Sequence, residues 1–285
     1  MFDIDYIRPQ TVADTLDFLN ENALDTAILA GGTDIMVDMR SGKLNRRYLL
    51  DVGQLEELRG IEFDDGNLTI GAGVTITEIG QSDLIGHHAP ALHKVADKFA
   101  SRQVRNIATI GGNVANCSPC GDTIPPLLIH DAGAVVVGPS GKRTVPVEEM
   151  ASAPYHCELR PDELITHFIL KTKPAEVEFA DFQKIGRRKA LAVARISMAA
   201  MIAQGSDHRI SYIRFALGSC TPTPHRFRDI ENFLFGKVPE KELLWKAGKV
   251  LSQKMMKITG RRVSTAYKEP AIQGLFMRMM YPLVI

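Results

Sequence analysis

The sequence predicts an α+β protein in two parts, an α/β region over residues 1–174 and a C-terminal unit of antiparallel strands and helices over residues 178–285. In the first part, short apolar runs alternate with helical patterns, which is typical of a layered α/β arrangement. In the second part, strand-like runs come first and two helical segments follow, which indicates an α+β unit. The polar segment Lys171–Glu178 between them holds a proline, as domain linkers often do.

Composition describes a compact globular chain. The 285 residues are 45% hydrophobic and 24% charged, which is ordinary for a globular protein and leaves little share for long disordered tracts. The formal net charge of +1 is not that of a polyanion-binding protein, so we expect no nucleic-acid partner. The N-terminus has no signal-peptide core, and no apolar run approaches about 18 residues. We therefore expect a cytoplasmic protein without a membrane span.

The first part opens with alternating helix and strand patterns. A Thr/Asp start and apolar residues at helical spacing predict a short amphipathic helix over residues 11–22. The apolar run Ala27–Ala30 predicts a buried strand that ends in a turn at Gly31 and Gly32, and the following IMVDMR has a helical pattern. Further strands are predicted over Tyr48–Val52 and Asn67–Val74.

The remaining segments continue the same reading. We expect a longer helix over residues 87–101, an ordered loop over 102–122, a helix that starts near Asp122 or Thr123, and a hairpin around Pro139–Gly141. In the second part the predicted strands are 179–186, 194–204 and 210–218, and the predicted helices are 239–257 and 269–281.

The first candidate site is the strand exit Ala30-Gly31-Gly32-Thr33-Asp34. Two glycines allow backbone conformations that turn successive N–H groups inward, and such a nest binds phosphate oxygens. A helix that begins at Thr33 or Asp34 would add its free N–H donors. The alternative is a purely structural turn, because the segment lacks the lysine of a P-loop and the glycine spacing of a dinucleotide fingerprint.

The second candidate site is Thr109-Ile110-Gly111-Gly112-Asn113, another double glycine in a polar segment. A dinucleotide's pyrophosphate needs donors from more than one direction, and its ribose hydroxyls need an acceptor nearby. Asp122, shortly after this loop, could supply that acceptor. The alternative for Asp122 is a helix N-cap.

Together these segments resemble a known family. AGGTD at 30–34, SRQVRNIATIGGN at 101–113 and the following NCSPCGDTIPPLL are similar to the FAD-binding (medium) subunit of molybdenum hydroxylases, of the xanthine dehydrogenase and carbon monoxide dehydrogenase type. FQKIGRRKA at 182–190 and TGRRVSTAYKEPAIQGL near the end extend the similarity over nearly the whole chain. The resemblance implies a two-part α/β FAD-binding domain of the vanillyl-alcohol-oxidase type, followed by a C-terminal α+β flavoprotein domain.

The resemblance also implies an oxidoreductase subunit that transfers electrons. It would hold FAD, while an iron–sulfur small subunit would hold two-iron two-sulfur clusters and a molybdopterin-binding large subunit would hold the molybdenum cofactor. Electrons would pass from the clusters to FAD and on to NAD or another acceptor. No catalytic side chain is expected in this chain, because the redox chemistry belongs to the cofactor.

The family's cofactor positions map onto specific residues here. Leu29 to Ile35 would wrap the pyrophosphate, Thr109 to Asn113 would line its other side, and Asp122 would hold a ribose or adjacent hydroxyl. Ile165 matches an apolar position against the adenine or flavin end, and Lys184 matches a basic residue beside the cofactor. The implied FAD-binding set is Leu29, Ala30, Gly31, Gly32, Thr33, Asp34, Ile35, Thr109, Ile110, Gly111, Gly112, Asn113, Asp122, Ile165 and Lys184.

Lys184 and the acceptor involve further alternatives. A lysine beside FAD would neutralise phosphate or favour the reduced, anionic flavin, whereas the alternative is a solvated lysine at a strand end. Many relatives carry an acidic residue after the basic pair, where this chain has Ala190, Leu191 and Ala192. A more positive field would raise the flavin potential, so the preferred acceptor need not be NAD.

The four cysteines do not predict a metal site. Cys117 and Cys120 form a C-x-x-C, but no second such motif exists, and Cys157 and Cys220 are isolated. We expect reduced thiols and no metal in this chain. Two rival functions stay open: a self-sufficient FAD-dependent oxidase or dehydrogenase, and a non-redox nucleotide-binding module that uses the glycine loops only for phosphate.

Overall fold

The structure is a computed structural model that describes residues 4–188 and 191–284. The strands are β1 Asp5–Ile7, β2 Thr26–Leu29, β3 Tyr48–Asp51, β4 Ile61–Asp64, β5 Asn67–Gly71, β6 Gly133–Gly138, β7 Gly141–Pro146, β8 Ala151–Ala153, β9 His156–Cys157, β10 Leu164–Lys171, β11 Phe179–Gly186, β12 Ala194–Gln204, β13 Ile210–Gly218 and β14 His225–Arg226.

The helices connect and cover these strands. The α-helices are α1 Val12–Asn22, α2 Ile35–Arg40, α3 Ile76–Gln81, α4 Asp83–His88, α5 Pro90–His93, α6 Val95–Lys98, α7 Arg102–Arg105, α8 Ile110–Ala115, α9 Ile124–Ile129, α10 Arg228–Leu234, α11 Lys241–Thr259 and α12 Thr265–Met280. Short 3-10 helices lie at Ala23–Asp25, Glu56–Leu58, Val147–Glu149 and Tyr281–Leu283. In the part of the chain that is described, no helix combines the length and the apolar character that crossing a bilayer requires.

The first part contains two main sheets. A small parallel sheet has the order β1-β3-β2, and an antiparallel sheet of five strands has the order β4-β5-β10-β6-β7. Helix α1 begins with a capping box, in which Thr11 and Asp14 bond each other's backbone N–H groups, and it buries Leu19 against the small sheet. The first glycine loop, at residues 30–34, follows the carboxyl end of β2 and leads into α2.

The second part is a four-stranded antiparallel sheet, β11-β12-β13-β14, with covered faces on both sides. Along β12, Met198 and Ala200 pack with helices α11 and α12, whereas Ala199 and Met201 belong to the core of the first part. A strand buried on both faces reads as a nearly continuous apolar run, which explains ARISMAAMIAQ. Helix α9 of the first part packs directly on β12 and β13.

The predicted α+β class is confirmed, with a first part of two main sheets and short helices followed by an antiparallel sheet and helices. Two local predictions are wrong. The single helix predicted over residues 87–101 is divided among α4, α5 and α6, because Ala89 before Pro90 leaves the helical region at φ −137° and ψ 59°. The predicted loop over 102–122 contains α7 and α8, and α8 is started by the Thr109 hydroxyl, which accepts from the N–H of Gly112.

Candidate functional site

A cleft of about 570 Å³ lies between the two sheets of the first part. Its size falls within the range of roughly 300–1,000 Å³ that is usual for cofactor sites. Apolar side chains line much of it, and polar groups come from the two glycine loops and from the segment before β10. The lining residues include Ile28, Ala30, Gly31, Gly32, Thr33, Asp34, Ile35, Arg46, Leu58, Phe99, Thr109, Gly111, Gly112, Asn113, Asn116, Cys157, Leu159, Arg160, Glu163 and Ile165.

The first glycine loop presents free backbone donors to this cleft. It runs from the end of β2 to the start of α2, and Gly32 has φ 73°, a left-handed conformation that glycine adopts at no steric cost. Within residues 4–188 and 191–284, none of the five consecutive N–H groups from Gly31 to Ile35 donates a hydrogen bond. Buried or half-buried backbone donors require partners, and converging donors of this kind bind anions. The loop therefore fits a phosphate group.

Gly31 also brings the two glycine loops into contact. A Cβ placed on Gly31 would lie 1.9 Å from the carbonyl oxygen of Ile107 and 2.9 Å from the Cα of Ala108. Both neighbours are backbone atoms just before Thr109, so the first loop rests directly on the entry to the second. Only glycine allows this approach, and the cleft depends on it for its shape.

The second glycine loop differs from the sequence prediction. The N–H groups of Ile110 and Gly111 donate to the carbonyls of Val74 and Ala72, and those of Gly112 and Asn113 donate to Thr109. Because these donors are used inside the chain, the backbone of this loop does not form a second phosphate nest. Its contribution to the cleft is small residues and the Asn113 side chain.

Asn113 is fixed by the segment that follows it. Its Oδ1 accepts from both the N–H and the hydroxyl of buried Thr123, at 3.3 and 2.7 Å. With Oδ1 occupied, the side-chain amide of Asn113 is left as a donor at the cleft wall. This orientation ties the second glycine loop to the start of α9.

Asp122 and Lys184 form a buried pair beneath α9. The Lys184 Nζ donates to Asp122 Oδ2 at 2.5 Å, and the two side chains are 8% and 7% exposed. Burial raises the pKa of Asp122, and the neighbouring lysine acts in the opposite direction. This burial excludes a solvated lysine at a strand end, and the N-cap of α9 is Thr123 rather than Asp122.

Neither member of this pair lines the cleft. The second oxygen of the Asp122 carboxylate, Oδ1, is buried and has no hydrogen-bond partner in the described part of the chain. A buried acceptor without a partner is costly to the fold. Lys184 and Ser197 are opposite each other on β11 and β12, which places the pair where the two parts of the chain meet.

The structure brings most of the predicted residues together and leaves four of them outside the cleft. Ile165, buried on β10, lines the cleft wall as an apolar residue. Leu29 ends β2 just before the loop, and the side chain of Ile110 is fully buried in the core. Leu29, Ile110, Asp122 and Lys184 are not among the lining residues.

Sequence reasoning missed the wall opposite the glycine loops. Phe99, Leu159 and Arg160 line the cleft, although nothing in their local sequence marks them. Leu159 and Arg160 arrive through the connection between β9 and β10, so only the tertiary fold places them there. Arg46, an exposed cation on the loop before β3, was the one detectable signal, because a basic residue near a phosphate nest is electrostatically favourable.

Glu163 organises this wall electrostatically. Arg143 bonds both carboxylate oxygens, at 2.8 and 2.6 Å, and the N–H of Arg160 donates to Oε2 at 2.9 Å. These bonds, led by that of Arg143, lower the pKa of Glu163 to about 2. The Glu163 side chain is only 4% exposed, so its ion pair with Arg143 is part of the fold of the cleft wall.

The ion pair between Glu163 and Arg143 predicts that the folded protein loses stability in acid. Because the folded pKa lies below the unfolded one, the stabilisation is complete above the unfolded pKa and is lost as pH falls through it toward about 2. We expect Glu163→Gln to lower the free energy of unfolding by roughly 2–3 kcal/mol at pH 7. Urea unfolding should show that the difference in unfolding free energy between this variant and the original chain shrinks between about pH 4.5 and pH 3. A difference that does not change with pH would mean that the carboxylate charge contributes nothing to stability.

In the described ranges, no cluster of three or more His, Cys, Asp or Glu side chains has the geometry to hold a metal ion. All four cysteines are free thiols. The buried Cys117 thiol lies 3.4 Å from the carbonyl oxygens of Val114 and Met150. Lys189 and Ala190, part of the predicted basic segment, lie outside the described residues.

Comparison with protein families covers both parts of the chain. Residues 2–171 match the family described as FAD binding domain in molybdopterin dehydrogenase. Residues 181–283 match the family described as CO dehydrogenase flavoprotein C-terminal domain.

Individual proteins agree with these matches. The xanthine dehydrogenase FAD-binding subunit of Escherichia coli O157:H7 is 34% identical over 233 residues, which is 81% of this chain and 79% of that protein. The nicotinate dehydrogenase FAD-subunit of Eubacterium barkeri is 28% identical over 284 residues, covering 98% of this chain and 95% of that one. Among solved structures, a chain of carbon monoxide dehydrogenase from Hydrogenophaga pseudoflava superposes with a TM-score of 0.91 at 25% identity, and each chain is covered completely.

Proposed function

The chain belongs to the FAD-binding subunits of molybdenum hydroxylases, and we propose that it receives electrons from an iron–sulfur partner and passes them to NAD or another acceptor. The single observation that carries the cofactor position is a row of five N–H groups along the cleft, from Gly31 to Ile35, which donate no hydrogen bond within the described residues. A pyrophosphate is the part of FAD that such donors bind.

The remaining predicted residues take different roles around this anchor. Gly111 and Gly112 carry no side chains that would fill the cleft. Asn113 offers its side-chain amide as a donor, in place of the backbone donors that the sequence predicted. Ile165 packs as an apolar wall. Asp122 accepts a hydroxyl through Oδ1, which has no hydrogen-bond partner among the residues that the structure describes. These roles make the second loop a shape-determining wall and the first loop the anion site.

Lys184 acts through Asp122. The two charges lie 2.5 Å apart and largely cancel at a distance, so Lys184 alone does not set a strongly positive field. Its role is to hold the Asp122 carboxylate with one oxygen occupied and the other free. The pair therefore positions a hydrogen-bond acceptor. Residues outside this pair set the preference for NAD or another electron acceptor.

FAD, when bound, supplies the electron and hydride chemistry. The side chains of this protein bind and orient it, exclude water through the apolar cleft wall, and need no general base or nucleophile. We propose that the partners are an iron–sulfur small subunit with two-iron two-sulfur clusters and a molybdopterin-binding large subunit with the molybdenum cofactor. The substrate pocket would belong to the large subunit, for an N-heterocycle, an aldehyde or a similar compound.

This assignment is supported by the range of relatives. Their names include xanthine dehydrogenase and nicotinate dehydrogenase, two activities on N-heterocycles, each with a separately named FAD subunit. A shared FAD subunit beside different substrates is expected if the substrate is oxidised in another chain. We further propose that the FAD-binding domain spans residues 1–174 and the C-terminal domain residues 178–285, with the linker between β10 and β11.

Gly112→Val tests the position of the cofactor. A Cβ at Gly112 would lie 3.0 Å from the Thr109 hydroxyl and 3.8 Å from Ala30 Cβ, so the fold can accept it while the cleft narrows. We expect FAD affinity to fall by about tenfold or more, which corresponds to about 1.4 kcal/mol, with little change in circular dichroism. Isothermal titration with FAD measures the affinity.

The matched control is Gly274→Val, in α12, where an added Cβ meets no neighbouring atom. We expect this variant to bind FAD like the original chain. A folded Gly112→Val protein with unchanged FAD affinity would contradict the proposed position.

A further inference from the structure

Basic residues are segregated within the C-terminal part of the chain. Residues 182–206 include five Lys and Arg side chains and residues 243–268 include seven, and neither segment contains an Asp or Glu. Twelve of the 34 basic residues therefore fall in two segments without a carboxylate, although the formal net charge of the whole chain is only +1. Such segregation produces a local positive field that the net charge does not reveal.

The fold brings these two segments together at one surface. The hairpin between β11 and β12 lies beside the start of α12, where the guanidinium carbon of Arg195 is 4.8 Å from the centre of the Tyr267 ring. The loop before α12 is fixed to its first turn, because the N–H of Arg262 donates to the Thr265 hydroxyl at 2.8 Å. The surface that results is called the arginine surface, and its cations are Arg187, Arg188, Arg195, Arg261 and Arg262.

The cations of the arginine surface are not neutralised by neighbouring carboxylates. In the described part of the chain, none of the five forms an ion pair with Asp or Glu. The side chains of Arg188 and Arg262 bond only backbone carbonyl oxygens. Arg187 and Arg261 are exposed. The surface therefore offers positive charge to a partner that carries carboxylates.

A few exposed apolar side chains lie among these arginines. Val193 and Val263 are largely exposed, and Tyr267 is partly exposed. Protein interfaces are enriched in arginine and tyrosine and depleted in lysine. The planar guanidinium group also matches a carboxylate in geometry, so that two parallel hydrogen bonds can form. The composition of the arginine surface is therefore that of a binding site for an acidic protein face.

The balance of charged and apolar groups distinguishes a transient partner from a permanent subunit. Interfaces between permanent subunits are large and hydrophobic, and charged residues are depleted at their centres. Weak encounters in electron transfer bury little area, and complementary charges determine how fast the two proteins meet. Five arginines with a few scattered apolar side chains fit the transient class.

The arginine surface lies close to the buried pair of Asp122 and Lys184. Strand β11 carries Lys184 and ends two residues later, where the hairpin begins. On the neighbouring strand, Ser197 is opposite Lys184, and Arg195 precedes Ser197 by two residues. A protein that docks on this surface therefore reaches the chain near the place where α9 of the first part packs on the C-terminal sheet.

We propose that the arginine surface docks an acidic redox protein that accepts electrons from this chain, so that the acceptor is a protein rather than NAD. This inference rests on the proposed function, because only a chain that carries FAD has electrons to pass on. Each encounter moves one electron. Two acceptor molecules are therefore reduced for every FADH2 that returns to FAD, and two protons are released to water. The arginines orient the acceptor and speed the encounter by charge attraction.

The first test measures docking of a probe to the full chain, with and without FAD. The probe is an acidic b-type cytochrome, and a basic c-type cytochrome is the comparison of opposite charge. Surface plasmon resonance should detect the acidic cytochrome only, with an affinity that falls as salt rises from about 20 mM to 200 mM. We expect Arg261→Glu to lower this affinity by about threefold, and Arg187→Glu in addition to lower it by about tenfold in total.

The second test measures electron transfer. The FAD-loaded chain is reduced with dithionite, freed of the excess, and mixed anaerobically with the oxidised acidic cytochrome while the haem absorbance is followed. The double variant should reduce the cytochrome about tenfold more slowly at low salt, with unchanged flavin content. Lys142→Glu is the matched control, because Lys142 is exposed on β7 of the first part and the change of charge is the same. It should alter neither affinity nor rate.

Equal effects of Lys142→Glu and Arg261→Glu, binding that does not change with salt, or a preference for the basic cytochrome would overturn the proposal. Failure of the double variant to assemble with the iron–sulfur subunit would assign the surface to a permanent partner instead. A loss of NAD reduction in that variant would assign it to a nucleotide. If the double variant does not fold, Arg261→Glu alone decides the comparison.

The outcomes also separate this inference from the proposed function. A chain that holds FAD but does not bind the acidic cytochrome would refute the docking site alone. A chain that binds the cytochrome but holds no FAD would refute the proposed function, and with it the transfer of electrons.

Discussion

Replacing Lys184 by methionine is expected to lower the free energy of unfolding by about 3–5 kcal/mol at pH 8, the usual cost of breaking a buried ion pair. Asp122 would remain only 7% exposed but would lose Lys184, the cation that contacts it in the described part of the chain. Burial already raises the pKa of Asp122, and removal of Lys184 raises it further. Urea unfolding of the purified chain at pH 8 measures the loss.

The pH dependence and a second variant identify the cause. Because the folded pKa of Asp122 would lie above its unfolded value, protonation relieves the penalty, and the loss should be smaller at pH 5 than at pH 8. Lys184→Met combined with Asp122→Asn should recover much of the stability, since no buried charge is then left. A loss below about 1 kcal/mol at pH 8 would show that water solvates the pair.

Gly31→Ala is expected to destabilise the chain by about 3 kcal/mol or more, at the upper end of overpacking effects. The new methyl group would lie 1.9 Å from the carbonyl oxygen of Ile107, and backbone atoms cannot turn aside as a side chain can. The two glycine loops must therefore separate, which also disrupts the arrangement of the N–H groups along the cleft. We expect a lower melting temperature and loss of FAD binding in the same variant.

Gly274→Ala is the matched control for this substitution. It lies in α12, and an added Cβ has no atom within 4 Å. Alanine is favoured over glycine within a helix by about 1 kcal/mol, so this variant should be as stable as the original chain or more so. Equal stability of the Gly31 and Gly274 variants would refute the close contact between the loops.

The sequence predicted the periodic elements well because their signals are local. The β2–loop–α2 junction, the hairpin β6–β7 and the strands β11, β12 and β13 were found from apolar runs and turn residues. The single helix predicted over residues 87–101 is instead divided among α4, α5 and α6, with a break at Ala89 and Pro90. Local propensity does not reveal where a proline ends one helix and starts another.

The site was only partly predictable, because its chemistry depends on which donors are already used. The two glycine loops look alike in sequence. In the second loop, however, the N–H groups donate hydrogen bonds to Val74, Ala72 and Thr109. Asp122 and Lys184 are distant in sequence and pair only when α9 packs on the C-terminal sheet.

The central claim is that this chain carries FAD within a relay and does not itself oxidise the substrate. The most direct test is anaerobic mixing of the FAD-loaded chain with purines and other N-heterocycles while the flavin absorbance is followed. Dithionite serves as the control that the flavin can be reduced. We predict no bleaching by any of these compounds until the iron–sulfur and molybdopterin-binding subunits are added. Rapid bleaching of the isolated chain would contradict the relay and indicate a self-sufficient FAD-dependent dehydrogenase.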